Sequence, residues 1–75
     1  MLDVTIYTKP NTSLAIMESL ARKAKRGWSL KNVRLGSNCS SEWNTIHLEC
    51  SDSELSRLEE FLDSVVSDEF QVSVN

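Results

Sequence analysis

The chain has 75 residues, 40% of them apolar and 25% charged, and carries a formal net charge of −3. That length holds one domain, residues 1–75, and a domain of this size buries only about 60% of the surface its unfolded chain exposes, so a partner or a second copy is an expected source of stability. The negative balance argues against general nucleic-acid binding, which relies on excess cationic charge, and no apolar run reaches the length of a membrane span.

Leu2, Val4 and Ile6 alternate with Asp3, Thr5 and Tyr7, the period-two mark of a half-buried strand. Met1 leads straight into this strand without a signal-peptide pattern, so a cytoplasmic chain with reduced thiols is expected. Pro10 ends the strand, and Thr12 or Ser13 can cap the helix that follows. A thiol oxidoreductase with this opening would carry Cys-x-x-Cys directly after the proline. Here Asn11, Thr12, Ser13 and Leu14 fill those positions, and none of them is a thiol. Ser13, Met17, Leu20, Ala21 and Ala24 fall on one face of the helix, and Glu18, Arg22, Lys25 and Arg26 on the other. Glu18 and Arg22 are spaced for an i,i+4 pair, and Gly27 stops the helix.

Trp28 and Leu30 open a second strand, but Val33 and Leu35 continue it out of phase. A β-bulge or a bend near Lys31 and Asn32 would return all four to one face. Gly36 to Ser41 is a run of turn formers suited to a hairpin connection. Ile46, Leu48 and Cys50 alternate with Thr45, His47 and Glu49 in a third strand. Ser51-Asp52-Ser53-Glu54 has the form of a capping box for a second helix, whose apolar stripe is Leu55, Leu58, Leu62 and Val65, flanked by Phe61 and Val66. Phe70, Val72 and Val74 form a last strand. The order β-α-β-β-α-β, with one-sided helices and strands, predicts an α+β two-layer sandwich of ferredoxin-like type: a four-stranded antiparallel sheet with two helices on one face.

Function on such a fold comes from sites. Tyr7, Trp28 and Trp43 are aromatic, but the basic Gly-aromatic signature of an RNA-recognition motif is absent. His47, Cys39 and Cys50 are too few and too widely spaced for a metal site, so no metal ligand set is assigned. His47 is read as a sheet-surface residue with no carboxylate or hydroxyl placed to form a catalytic set, Cys50 as a small core residue, and Cys39 as an exposed loop thiol; no residue is assigned a catalytic role. Two features remain. The polar junction from Lys9 to Leu14 offers helix N–H groups that favour an anion or carboxylate. Arg22, Lys23, Lys25 and Arg26 form a basic cluster suited to an acidic partner.

The stretch MESLARKAKRGWSLKNVRLGSN resembles the ACT domains of acetolactate synthase small subunits, in which a helix ends in Arg-Gly-aromatic before a second strand and a hairpin. NTIHLECSDSELSRLEEFLDSVVSDEFQVSV resembles the continuation of that family, a strand, a leucine-rich helix and a short last strand. The likeness covers nearly the whole chain and is greatest to the short isozyme II type, with Arg26-Gly27-Trp28 its sharpest motif. It implies an ACT-like fold, a homodimer, and a noncatalytic regulatory subunit that binds and activates the large catalytic subunit in branched-chain amino-acid biosynthesis. Thiamine diphosphate, Mg²⁺ and FAD would then belong to that catalytic partner and not to this chain. The family's effector turn reads Asn-x-Pro-Gly-Val-Leu. By resemblance Asn11, Thr12, Ser13 and Leu14 stand at that turn, and Ser29 stands where the family has the asparagine that opens strand two. The turn glycine is missing here and Pro10 precedes Asn11, departures that agree with the isozyme II type, which is a maintenance and activation subunit more than a valine sensor. The alternative is a stand-alone ACT-type module that binds a small amino acid between two copies of itself.

Overall fold

The structure is a computed structural model and describes residues 1–36, 43–66 and 69–75. Alternation makes the first strand, β1 (Leu2–Thr8), two-sided: Val4, Ile6 and Thr8 are buried beneath the helices while Asp3 and Tyr7 face outward. The first helix, α1 (Pro10–Lys25), starts earlier than a cap at Thr12 or Ser13 would set. Pro10 occupies the first helical position, where its fixed φ suits the helix and its missing N–H costs nothing. Lys9 is therefore the N-cap, and the hydroxyls of Thr12 and Ser13 instead donate to the carbonyls of Lys9 and Pro10, at 3.0 and 3.1 Å. The buried face of α1 is Ser13, Ile16 and Leu20, with Met17 and Ala24 partly buried. Ile16 thus belongs to the core, a place the expected face omitted. Arg22 donates to Ser19 Oγ at 3.3 Å in place of the expected pairing with Glu18.

Gly27 closes the helix at φ 103°, and the Trp28 N–H then reaches back to the Lys23 carbonyl at 3.1 Å, the six-to-one bond of a Schellman end. The second strand, β2 (Leu30–Leu35), follows, with Trp28 just before it. The third is β3 (Asn44–Cys50), and their pairing carries the expected irregularity. Lys31 stands opposite Glu49, but the next pair is Arg34 with His47, so one extra residue sits on β2 as a bulge, with Asn32 at φ 55°. The bulge returns Leu30 and Val33 to the helix side. Leu35 shares that side through its pairing with Ile46, yet it lies at the end of an edge strand and stays 40% exposed.

The second helix, α2 (Asp52–Val65), buries Leu58 and Leu62, with Leu55, Phe61 and Val66 partly covered. Val65, expected on the same stripe, is the last residue of the helix and is 53% exposed, on a cleft beside the start of α1. The capping box does not form. Ser51 Oγ meets Ser53 Oγ at 3.1 Å, and the buried Glu54 carboxylate accepts the Ser29 backbone N–H at 2.7 Å instead. A tertiary donor left open at the entry to β2 outcompetes the local one. The last strand is β4 (Gln71–Val74).

The order is β-α-β-β-α-β and the sheet order is β2-β3-β1-β4, antiparallel at every pairing. This is the ferredoxin-like α+β sandwich, with β3 and β1 central and β2 and β4 at the edges. Its core joins Val4, Ile6, Leu30, Ile46, Leu48 and Cys50 of the sheet to Ile16, Leu20, Leu58 and Leu62 of the helices. The expected hairpin connection after Gly36, Cys39 included, lies outside the described residues.

Candidate functional site

The junction between β1 and α1 gathers part of the sequence-derived set. Asn11 and Thr12 line a cleft of about 190 Å³ with Ala15, Ile16, Ser19 and Val65, so the start of α1 faces the end of α2. Ser13 is buried and receives the Asn44 side-chain amide on its Oγ at 2.8 Å, while Leu14 points outward at 53% exposure. Under the first turn lies Thr8, fully buried, whose Oγ1 has no hydrogen-bond partner among the described residues. No acid stands in the first turn of α1 and no side chain caps it, so its N–H groups remain a weakly positive end. Lys9 adds a cation whose Nζ lies 4.4 Å from the centre of the Trp43 ring. Ser29 is not brought to this junction. It precedes Leu30, which pairs with Cys50, and Cys50 also pairs with Leu2 at the far end of β1, so within one chain Ser29 lies at the opposite end of the sheet.

The basic cluster divides. Arg22, Lys25 and Arg26 are exposed. Lys23 is partly buried and serves the interior of the helix layer: its Nζ lies 4.8 Å from the Trp28 ring centre and 4.6 Å from that of Phe61. Trp28 and Phe61 meet edge to face at 6.4 Å, and the Arg57 guanidinium covers Trp28 at 4.3 Å while pairing with Glu54 at 3.2 Å. A Trp held against two cations and a second ring ties the end of α1 to α2. Sequence reasoning missed this cluster because Arg57 and Trp28 are far apart in the chain. The apolar run around Phe61 was the one local signal.

On the outward sheet face His47 Nδ1 lies 3.2 Å from Thr5 Oγ1, so a hydroxyl does stand beside the histidine, contrary to the sequence reading. Cross-strand register puts it there, and register between distant strands is not written locally. Asn32, Arg34, Glu49 and Asp3 surround the pair. Among the described residues no group of three or more His, Cys, Asp and Glu side chains could hold a metal, and no helix is long and apolar enough to cross a membrane. Cys50 is buried, and burial, seconded by the Glu54 and Asp52 carboxylates, raises its thiol above the ordinary range and keeps it protonated at neutral pH.

No family model matches the chain, and no curated protein matches it. Among solved structures it is similar to "De novo designed protein Foldit4", at 13% identity and a TM-score of 0.57, over 99% of this chain and 92% of that one. At that identity the likeness concerns the fold alone, and what it gives is the two-layer α+β architecture.

Proposed function

We propose that this chain is a noncatalytic regulatory subunit of ACT type that binds and activates the large catalytic subunit of acetolactate synthase in the cytoplasm. The observation that supports this reading is the place of Arg26-Gly27-Trp28. The stretch by which the chain resembles that family forms the Schellman end of α1, at φ 103° for Gly27, and leads into a bulged β2 within a β-α-β-β-α-β chain. The exposed Arg22, Lys25 and Arg26 supply the surface for the catalytic partner. Thiamine diphosphate, Mg²⁺ and FAD belong to that partner. The edge strand β2, with Leu35 40% exposed, is the seam for a homodimer. The test is reconstitution. Acetolactate formation by a purified large subunit should rise on adding this chain and saturate near a fixed ratio; an unchanged rate across a tenfold excess overturns the proposal.

A second reading is favoured by the orphaned Thr8 hydroxyl. A buried hydroxyl without a partner is costly, and a small amino acid bound at the β1–α1 junction between two copies would supply one. Calorimetry with valine, leucine and isoleucine decides it: saturable heat supports an amino-acid-binding module, and its absence removes that reading.

A further inference from the structure

The sheet face turned away from the helices is a lattice set by register. Asp3 stands opposite Glu49, which pairs with Lys31 at the sheet edge, and one row along Thr5 stands opposite His47, which in turn pairs with Arg34 on β2. Of the first row, two carboxylates against one ammonium, it is Asp3 and Glu49 that line the hollow. Alternate residues of a strand are two rises apart, so the acidic row and the basic row are separated by about 7 Å. A hollow of about 630 Å³ opens over both rows.

These charges are held in place. Asn32, at φ 55°, lies in the left-handed region that a residue other than glycine rarely occupies. From that position its side-chain amide donates to Glu49 Oε2 while its carbonyl accepts from Arg34 Nη1 at 2.8 Å. One bulge residue therefore orients a carboxylate and a guanidinium together, the re-aiming of side chains that bulges provide. The bond to Asn32 uses one of five guanidinium donors, which leaves the fork able to grip a carboxylate. The imidazole of His47 is fixed from below by Thr5, which is 7% exposed.

We propose that this hollow binds a small amino carboxylate, its carboxylate on Arg34 and His47 and its ammonium on Asp3 and Glu49. A ligand that is only anionic meets the acidic row, and one that is only cationic meets Arg34. A species carrying both signs satisfies both rows. This site is on the face of the sheet turned away from the helices, and its ligand chemistry does not depend on the function proposed above, though Asn32 and Arg34 lie on the edge strand β2 that the homodimer would pair.

The test is a titration of the backbone amide resonances of the whole chain with γ-aminobutyrate, a straight-chain zwitterion, beside butyrate and butylamine as single-charge controls. The expected result is saturable movement at Thr5, Arg34, His47 and Glu49 with γ-aminobutyrate, and at least tenfold weaker binding of either control. Arg34→Gln and Glu49→Gln, both on the outer face, should each weaken the zwitterion about tenfold with the fold retained. Equal affinity for a control, movement confined to Asn11, Thr12 and Ser13, or no saturable movement up to about 50 mM overturns the proposal. The single-charge comparison on the unaltered chain decides the matter even if a variant fails to fold. Valine titrated in parallel separates the two sites by position: movement at Asn11, Thr12 and Ser13 reports the β1–α1 junction, and movement at Thr5, Arg34, His47 and Glu49 reports this hollow.

Discussion

Gly27 and Gly36 meet different physical demands, and substitution separates them. Gly27 has φ 103° with open space where a Cβ would stand, so Gly27→Ala carries only the conformational penalty, about 1 kcal/mol. A Cβ on Gly36 would stand 1.9 Å from Thr45 Oγ1 and 2.7 Å from His47 Nε2, so Gly36→Ala is an overpacking change that costs about 1–3 kcal/mol. Adding Thr45→Ala should recover part of the Gly36→Ala loss and none of the Gly27→Ala loss, in a double-mutant cycle read by urea unfolding. Cys50 gives a pH-dependent counterpart. Its folded thiol is raised by burial and by Glu54 and Asp52, so on alkalinisation the unfolded chain releases this proton first. Fewer protons on the unfolded state means that stability falls as pH rises. The contribution is intact below the ordinary thiol range and is lost from that range upward to the raised folded value. Between pH 7 and about pH 10 the wild type should therefore lose more stability than Cys50→Ala does; equal losses would remove the thiol as the cause.

At the scale of elements, the Glu54 bond to the Ser29 N–H joins the start of α2 to the entry of β2, next to the Trp28 cluster. Glu54→Ala removes the charged acceptor of the Ser29 N–H and should cost about 1–3 kcal/mol. Glu54→Gln keeps an acceptor oxygen and loses chiefly the ion pair to Arg57, a side chain 58% exposed, so it should cost under about 1 kcal/mol. A chemical melt of both variants checks this, and equal losses would show that the ion pair, not the N–H bond, is what matters. The same contact marks the limit of what the sequence reveals. Period-two alternation and 3.6-residue periodicity are local, so each described strand and helix, the bulge at Lys31–Asn32 and the stop at Gly27 were legible. What is decided between distant segments was not. Glu54 has the spacing of a capping box but finds Ser29, 25 residues away. Pro10 moves the start of α1 ahead of both expected caps, and the Thr5–His47 pair needs the β1–β3 register. Of the candidate site, Asn11 and Thr12 do share a cleft, while Ser29 lies at the other end of the sheet because α1 carries the chain there.

Across the whole molecule the two helices carry opposite charge. Glu18 against Arg22, Lys23 and Lys25 leaves α1 at +2, while Arg57 against Asp52, Glu54, Glu59, Glu60 and Asp63 leaves α2 at −4. Like charges three or four residues apart on a helix repel by a few tenths of a kcal/mol per pair, so the basic end of α1 is not explained by helix stability alone. The helix dipole favours cations in the last turn, which accounts for Lys25 and Arg26, and stacking on Trp28 and Phe61 accounts for Lys23. Arg22, exposed and bonded only to Ser19 among the described contacts, is left as the residue whose charge serves the exterior. On the proposed function, α1 steers encounter with an acidic surface of the catalytic subunit and α2 does not. Charge at an exposed rim acts on the association rate and is screened beyond about 8 Å at physiological ionic strength. Reversing Arg22 and Lys25 together to Glu should therefore raise the concentration needed for half-maximal activation about tenfold at low salt, and by much less at moderate salt. Reversing Glu59 and Glu60 together to Lys should not weaken activation at either salt. Both variants alter solvent-facing side chains and should fold, as circular dichroism will show. If the two reversals act equally and in opposite directions, net charge alone is responsible and α1 is not singled out as the face that meets the partner; if neither acts, charge steering is absent.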